Sequence, residues 1–249
     1  MNRTSAWLLA VMVMSGPASA ETSADAVAER MLDALGGRAA WAALKTLVND
    51  SCQYRIEAPT VVRTVISLDL QRARFRIETW GPDLHLIRAV DGEAHWRLSR
   101  AGIIEPIPDA TLSGDRRWYT GHVYRTIHRI AAKDPTISLG IGKDERLEVH
   151  ESGARIAWFQ LDARGEPYAF GGVEDEEGSV SGPWTYVGGG VRHPAWVARR
   201  DAAFRSVLLG LESPEILPDS VTDRPSSPAA VTAVPRALTA CGVVLAPRT

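Results

Sequence analysis

The pattern of hydrophobic and polar residues changes its period near residue 45. Residues 25–35 repeat hydrophobic side chains at i, i+4 and i+8, which predicts an amphipathic helix that Gly36-Gly37 ends. Residues 38–44 predict a second short helix with Trp41 on its apolar side. From Thr46 onward the period becomes two, which is typical of β-strands.

The clearest alternation lies in residues 72–78. Charged side chains occupy one face of that strand, whereas Ala73, Phe75 and Ile77 occupy the other. The strand before it has a similar apolar side, formed by Val62, Ile66, Leu68 and Leu70. Further strands are predicted near 84–90, 93–99, 145–150, 154–162, 166–173, 183–187 and 195–201. This succession of short strands favours an antiparallel meander over βαβ units.

One long helix is predicted within the sheet, over residues 113–133. Ser113 is a suitable N-cap, and Asp134-Pro135 follows the last turn. The apolar stripe of this helix consists of Tyr119, Val123, Ile127 and Ile130.

The segment AVDGEAHWRL, residues 89–98, predicts a β-hairpin. A two-residue loop at Asp91-Gly92 pairs Ile87 with Trp96 and places both in one apolar face. The same register points His85 and His95 to opposite faces, so these two histidines do not chelate one ion.

An apolar sheet face of this kind must be covered. The helices are few compared with the strands, so either the sheet closes on itself or it curls around the helices and leaves a ligand cavity. Ordinary core packing explains the apolar positions equally well, and the pattern alone leaves both alternatives open.

The N-terminal 20 residues have the features of a secretory signal peptide. Arg3 precedes an apolar run, and Ala18-Ser19-Ala20 forms an A-x-A cleavage site. We therefore expect a soluble periplasmic protein with one domain over residues 21–224. Residues 225–249 are rich in Pro and Ala, lack periodicity and predict a flexible tail.

The charge balance argues against a nucleic-acid partner. The chain has 28 Lys and Arg against 30 Asp and Glu, and cleavage after Ala20 removes only Arg3, which changes the formal charge from −2 to −3. The two cysteines, Cys52 and Cys241, are free to pair in an oxidising compartment. Because Cys241 lies in the predicted tail, the sequence favours unpaired cysteines but leaves the pairing open.

No motif of known chemistry stands out in the sequence. The G-x-S-x-G elbow is absent, and the glycines at 140–142 and 188–190 lack the context of a phosphate loop. His122 and His128 are six residues apart and face different sides of a helix. The acidic run 174–177 lacks the alternation of a calcium loop and predicts a solvated hairpin tip. We therefore expect a non-enzymatic protein without a metal or a cofactor.

Four segments together resemble the LolA-like family of exported bacterial proteins, which includes the periplasmic lipoprotein carrier and its outer-membrane receptor. They are the opening helices ADAVAERMLDALGGRAAWAALKTL, the hairpin VDGEAHWRL, the late strand FQLDARGEPYAF and the closing segment LESPEILPDSVTDRP. The resemblance covers about residues 24–225. It implies a mainly β, α+β fold: a curved, unclosed antiparallel half-barrel whose concave face is covered by helices.

The resemblance also implies a function. Relatives bind acyl chains or other lipids between the sheet and the helices, so we expect a monomeric carrier of a lipid or a lipoprotein acyl chain that contacts the membrane or envelope transport proteins transiently. An envelope scaffold without a ligand, or a hydrolase, remains the alternative. The residues expected to line the hydrophobic pocket are Ile66, Leu68, Phe75, Ile77, Ile87, Trp96, Tyr119, Val123, Ile127 and Trp158.

Overall fold

The computed structural model describes residues 23–55, 60–186, 190–199 and 204–227, together with Cys241. Within those residues the helices are α1 (Ala24–Ala34), α2 (Arg38–Ala43), α3 (Asp109–Thr120) and α4 (Val123–Ala131). The strands are β1 (Thr46–Arg55), β2 (Val61–Asp69), β3 (Arg74–Gly81), β4 (Leu84–Asp91), β5 (Ala94–Leu98), β6 (Ile104–Glu105), β7 (Ile137–Ile141), β8 (Leu147–Glu151), β9 (Ala154–Leu161), β10 (Pro167–Gly171), β11 (Ser179–Ser181), β12 (Trp184–Tyr186), β13 (Arg192–Pro194), β14 (Trp196–Arg199) and β15 (Phe204–Glu212). The predicted signal peptide and most of the predicted tail, residues 228–240 and 242–249, lie outside the described residues.

Thirteen strands form one antiparallel sheet in the order β6-β5-β4-β3-β2-β1-β15-β14-β11-β10-β9-β8-β7. β6 and β7 form its two edges, so the sheet is not closed into a barrel. The predicted fold class is confirmed. β15, which the sequence pattern did not indicate, pairs with β1 and joins the two halves of the sheet.

The sheet is curved around the junction between α3 and α4. The ring of Tyr119 in α3 stacks on Phe75 of β3 at 5.5 Å, while Gly121, two residues later, abuts the backbone of Ile156 in β9. Seven inter-strand steps separate β3 from β9, which is about 34 Å in a flat sheet at roughly 4.8 Å per step. One turn of helix contacts both strands only if the sheet bends toward it. The side facing the helices is therefore the concave face.

The hydrophobic core lies between the helices and this concave face. Met31 and Leu32 of α1 and Trp41 of α2 are fully buried in it. Arg38 ties α2 to α4 because its guanidinium donates hydrogen bonds to the carbonyls of Ile130 and Ala131, both at 2.6 Å. These contacts fix the helices as one layer over the sheet.

The prediction of a single helix over residues 113–133 was wrong. α3 begins at Asp109 after Pro108, so Ser113 lies inside the helix and does not cap it. α3 ends at Thr120 with Gly121 as its C-cap, and α4 starts at Val123 with His122 in an extended conformation before it. The chain breaks there because Gly121 packs directly on the backbone of the sheet and of the neighbouring loop.

The predicted hairpin register was shifted. Ile87 pairs with Leu98 and Ala89 pairs with Trp96, so the two loop residues are Gly92 and Glu93. Gly92 takes the positive φ of the turn. A shift of this kind preserves which residues share a face, and the prediction that His85 and His95 point to opposite faces is confirmed.

Part of the outer, convex face of the sheet is covered by another segment of the chain. Residues 217–222, here called the strap, cross the outer face of β3 to β5. Arg74 of β3 is 1% exposed and donates hydrogen bonds to the carbonyls of Leu217 at 3.0 Å and Pro218 at 2.8 Å. Trp96 Nε1 donates to the carbonyl of Thr222 at 2.7 Å. The charged side of β3 thus anchors a chain segment rather than facing solvent.

The two cysteines are paired, contrary to the expectation drawn from the sequence. Cys52 of β1 and Cys241 form a disulfide with their Cα atoms 5.7 Å apart. Both are buried, and the side chain of Cys52 points to the outer face of the sheet, opposite to its neighbours Ser51 and Gln53 in β1. The region read as a free tail is therefore fastened to the centre of the sheet at Cys241.

Candidate functional site

A cavity of about 550 Å³ lies between the middle of the concave face and the α3–α4 junction. We call it the central cavity. Its floor comes from β1, β2, β10, β11, β14 and β15, its roof from the end of α3 and the start of α4, and one wall from residues 172–175. Its volume falls within the range of roughly 300–1,000 Å³ that is usual for small-molecule sites.

The sequence of β1 explains the polar part of the floor. Asn49, Ser51 and Gln53 are alternate residues and all face the cavity, whereas Asp50 and Cys52 point to the outer face. The pairing of β1 with β15 is irregular next to Asp50. Beyond that irregularity Gln53 lies directly opposite Ser206, which also lines the cavity.

The apolar part of the lining comes from both layers. Ile66, Phe170 and Val197 project from the sheet, and Trp118 and Val123 project from the helices. Val173 adds an apolar side chain from the wall. All of these side chains border the open space, and all except Val197 also pack against the hydrophobic core.

Gly121 determines the shape of the roof. A Cβ atom at this position would lie 2.4 Å from the carbonyl oxygen of Ile156 and 2.8 Å from the amide nitrogen of Val173. Only glycine therefore allows the helical layer to approach β9 and the wall so closely. The break that follows turns His122 and Val123 toward the cavity.

A buried polar cluster joins the roof to the floor. His193 of β13 is 3% exposed, and its Nδ1–H donates to the carbonyl of Pro194 at 2.5 Å. Its Nε2 then accepts a hydrogen bond from the Tyr124 hydroxyl and lies 3.1 Å from Nδ2 of Asn49. Burial lowers the pKa of His193 to about 4 and raises the pKa of Tyr124, so the cluster is uncharged at neutral pH.

His122 is a different case. Its ring lies edge-on to Trp118 at 4.6 Å and 5.3 Å from the ring of Tyr124. Burial lowers the pKa of His122 to about 3, with a further lowering by the nearby Arg125. Its Nδ1 atom is buried, and neither ring nitrogen has a hydrogen-bond partner among the residues that the structure describes. A neutral imidazole with an unused donor and an unused acceptor thus borders the cavity.

Charged groups occur at the rim of the cavity. Arg199 pairs with Asp175 at 3.6 Å across the wall. Arg117 of α3 is exposed, and its side chain forms no hydrogen bond or ion pair with any residue in the described part of the chain. Arg117 is exposed, and Arg199 and Asp175 are partly exposed, so each of these charges retains contact with water.

The structure divides the ten residues predicted for the pocket into three groups. Ile66 and Val123 line the central cavity. Five others belong to, or pack on, the core beside it: Leu68, Phe75, Ile77, Tyr119 and Ile127. The remaining three, Ile87, Trp96 and Trp158, point away from the concave face.

The inward orientation predicted for Ile87 and Trp96 was wrong. They form a small cluster with Ala89 and Leu98 that is separate from the main core. Val90, the neighbour of Ala89, faces the helices instead. The alternation of side chains along β4 and β5 shows which residues share a face. Because the strap covers the outer face, apolar residues lie on both faces there. The sequence pattern therefore does not show which of the two faces is concave.

Trp158 also lies on the outer face, where an arginine side chain and the segment 174–177 cover it. Arg146 stacks on its ring at 4.1 Å, and its Nε1 donates to the carbonyl of Asp175 at 2.6 Å. The acidic segment 174–177 therefore contributes to packing, although Glu174, Glu176 and Glu177 are exposed. Arg155 forms an ion pair with Glu176.

The polar residues of the cavity were not predicted from the sequence. Asn49, Tyr124 and His193 come from three distant parts of the chain, and only the fold brings them together. The available signal was the alternating polar series of β1, which is unusual for a strand at the centre of a sheet. His128 is accounted for structurally, because its Nδ1 lies 3.0 Å from the carbonyl oxygen of Trp41.

A second cavity, of about 710 Å³, lies between α1 and the sheet edge at β7. Charged residues contribute much of its lining, including Arg30, Asp144 and Glu145. The central cavity is the better candidate, since it combines apolar walls from two layers with a buried histidine nitrogen, His122 Nδ1, that has no partner among the described residues. Among the described residues, no three His, Cys, Asp or Glu side chains are grouped so as to hold a metal ion.

No protein-family model and no curated protein sequence matches the chain. In structure, the chain is similar to a "putative outer membrane lipoprotein-sorting protein domain" from Vibrio parahaemolyticus, with a TM-score of 0.36 and 8% identity over 80% of this chain and 95% of that chain. It is also similar to a DUF1329 family protein from Desulfovibrio piger ATCC 29098, with a TM-score of 0.36 and 7% identity over the same shares. Both similarities concern the fold alone.

In the described part of the chain, no helix has both the length and the apolar character needed to cross a membrane.

Proposed function

We propose that this chain is an exported binding protein that holds an acyl chain or a similar apolar ligand in the central cavity without chemical conversion. The observation that carries the proposal is the unfilled space between the two layers, bordered by Ile66, Phe170, Trp118, Val123 and Val173. Transfer of apolar ligand surface from water into such a space contributes roughly 25 cal/mol per Å². An acyl chain therefore needs no special residue for affinity.

The proposal of a non-catalytic role draws on the state of the buried polar groups. His193 donates its Nδ1–H to a backbone carbonyl, whereas a catalytic histidine is commonly oriented by a carboxylate. Its Nε2 is already occupied by Tyr124 and Asn49. This arrangement fixes a neutral cluster in place and offers no activated nucleophile.

The periplasm is the proposed location. The predicted signal peptide supports export, and the disulfide between Cys52 and Cys241 is of the kind that persists in oxidising compartments. A carrier of lipid or lipoprotein acyl chains between envelope membranes is the role that we propose for such a protein.

Lipid extraction is the direct test. The mature protein, purified from the periplasm of its host with the disulfide intact, is extracted with organic solvent, and the extract is analysed by mass spectrometry. We expect one class of amphiphile in stoichiometric amount. The absence of any lipid, together with no binding of a fluorescent acyl probe, would contradict the proposal.

Filling the cavity gives a second test. Ile66→Phe adds volume where the ligand would lie and should weaken binding of the fluorescent acyl probe by at least about fivefold, since overfilling a packed site costs roughly 1–3 kcal/mol. Ile103→Phe is the matched control, because Ile103 is 54% exposed on a remote loop. Equal probe affinity in the two variants would place the ligand elsewhere.

A further inference from the structure

The polar side chains that β1 and β15 contribute to the floor of the central cavity are uncharged, and so is the histidine of the roof. Asn49, Ser51, Gln53 and Ser206 form a neutral strip along the floor, and His122 faces the cavity from the roof. The charged residues Arg117, Arg199, Glu174 and Asp175 stay at the rim. A ligand that fills the cavity thus meets neutral hydrogen-bonding groups inside and charges only at the opening.

The structure gives several of these neutral groups no side-chain hydrogen bond within the part of the chain that it describes. Ser51 donates to the carbonyl of Thr64 at 3.4 Å. The side chains of Gln53 and Ser206, which are cross-strand neighbours, make no hydrogen bond to any described residue, and the same holds for both ring nitrogens of His122. The Nδ1 atom of His122 is shielded from water, whereas Gln53 and Ser206 are partly exposed. A buried nitrogen is normally hydrogen-bonded, so the unpartnered Nδ1, in a cavity that polar side chains also line, points to a ligand that supplies its partner.

The type of unused group restricts the chemistry of that ligand. A neutral imidazole presents one donor and one acceptor, and the Gln53 amide presents both as well. A hydroxyl or an amide satisfies such groups completely, since each of them donates and accepts. A carboxylate only accepts, so it would leave the acceptor nitrogen of His122 unpaired, and its charge would be desolvated beneath the roof.

We propose that the central cavity selects a neutral amphiphile, in which an apolar chain carries a hydroxyl- or amide-bearing head group that is buried against His122, Gln53 and Ser206. This inference rests on the proposed function, because it names the ligand class of the same site. The apolar chain lies along Ile66, Phe170 and Val123, and the neutral head lies along the strip from β1 and β15. A free fatty acid is discriminated against inside the cavity, although the exposed Arg117 offers its carboxylate a weaker site at the rim.

Competition between two ligands of equal chain length tests the selectivity. A fluorescent naphthylamine probe bound to the mature disulfide-bonded protein is displaced either by the glycerol monoester of dodecanoic acid or by dodecanoate. We expect the monoester to displace the probe at an at least tenfold lower concentration of monomeric ligand. Dodecanoate that competes equally well or better would overturn the neutral-ligand proposal, and loss of that competition in Arg117→Gln would assign the site to the rim cation instead.

Variants of His122 test whether this residue causes the preference for the monoester over dodecanoate. His122→Phe keeps an aromatic ring but removes both hydrogen-bonding nitrogens, so the advantage of the monoester should fall by about tenfold while dodecanoate is little affected. His150→Phe makes the same change on β8, outside the cavity, and should leave both ligands unaffected. An unchanged preference in a folded His122→Phe protein would overturn the role of His122.

The floor offers an independent variant in case the change at His122 prevents folding. Gln53→Leu combined with Ser206→Ala removes the unpartnered pair and should also reduce the preference for the monoester. A preference that survives this double change contradicts the proposal. Failure of the naphthylamine probe to bind at all would instead contradict the proposed function, so the two failures are distinguishable.

Discussion

At the scale of single residues, burial determines the protonation state of two histidines, His122 and His193. His122 and His193 are held neutral because the helical layer and the β12–β13 ribbon exclude water from them. The exposed fraction of a side chain cannot be read from its neighbours in the sequence. The sequence pattern therefore gave no indication that His122 lines the cavity or that His193 is hydrogen-bonded to residues that line it.

This burial predicts how stability depends on pH. The pKa of both histidines is lower in the folded protein than the 6.5 of an exposed histidine, so below pH 6.5 the unfolded chain binds more protons than the folded one. The stabilisation is complete above pH 6.5 and is lost as the pH falls toward about 4 for His193 and about 3 for His122. The expected slope is up to about 1.4 kcal/mol per pH unit for each histidine.

Urea unfolding between pH 7 and pH 5 measures this slope. Carboxylates with a lowered pKa, such as Asp134 at about 2, lose their contribution mainly below pH 4 and do not interfere. The variants His122→Gln and His193→Gln should each flatten the dependence. A stability that stays constant between pH 7 and pH 5 in the unmodified protein would show that these histidines are hydrated.

At the scale of elements, Gly121 and Gly114 provide a matched pair for testing how the roof is built. Gly114 lies inside α3, and an added Cβ would meet no atom within 4 Å. Gly114→Ala should therefore raise the free energy of unfolding by about 0.4–1 kcal/mol, because alanine has the better helix propensity and the unfolded chain becomes less flexible. Gly121→Ala should lower it by several kcal/mol, because its Cβ would overlap the backbone of Ile156 and Val173.

Chemical denaturation of the two variants, compared under identical conditions, checks this contrast. Gly121→Ala should also weaken binding of an acyl probe in the central cavity, since the roof must move away from the sheet. If both variants have similar stability, the close packing of α3 and α4 on β9 is incorrect.

The elements also show which parts of the fold the sequence determines locally. The alternation in β3 and the glycines after α1 depend on neighbouring residues, and both were predicted correctly. The break at Gly121 depends on Ile156 and Val173, which are distant in the chain, so the pattern indicated one continuous helix. The joining strand β15 pairs with the preceding strand β14 and with the distant β1, and the pairing with β1 cannot be inferred from neighbouring residues.

At the scale of the whole molecule, a second layer of interactions lies outside the half-barrel. The strap crosses β3 to β5, and the disulfide fastens Cys241 to β1. Both contacts connect the C-terminal part of the chain to the outer face, where the sequence pattern indicated only a charged surface. Because Arg74 is paired within the strap rather than hydrated, the face assignment of Trp96 could not be made from alternation alone.

The disulfide should make a large contribution to stability. It closes a loop between residues 189 positions apart, and loop-closure entropy then predicts about 5 kcal/mol, with roughly 2–5 kcal/mol observed for native disulfides in general. The double variant Cys52→Ala and Cys241→Ala should therefore unfold at a markedly lower urea concentration than the oxidised protein. Thiol titration of the unfolded wild type, which should detect no free thiol before reduction, is the control for pairing.

The same double variant tests whether the disulfide on the outer face affects ligand binding in the central cavity. Cys52 points away from the concave face, so removing the disulfide should leave the affinity for an acyl probe unchanged in urea-free buffer as long as the protein remains folded. Reduced affinity at full helicity would mean that the outer fastening sets the curvature of β1 and with it the width of the cavity. Equal stability of the oxidised protein and the double variant would contradict the pairing of Cys52 with Cys241.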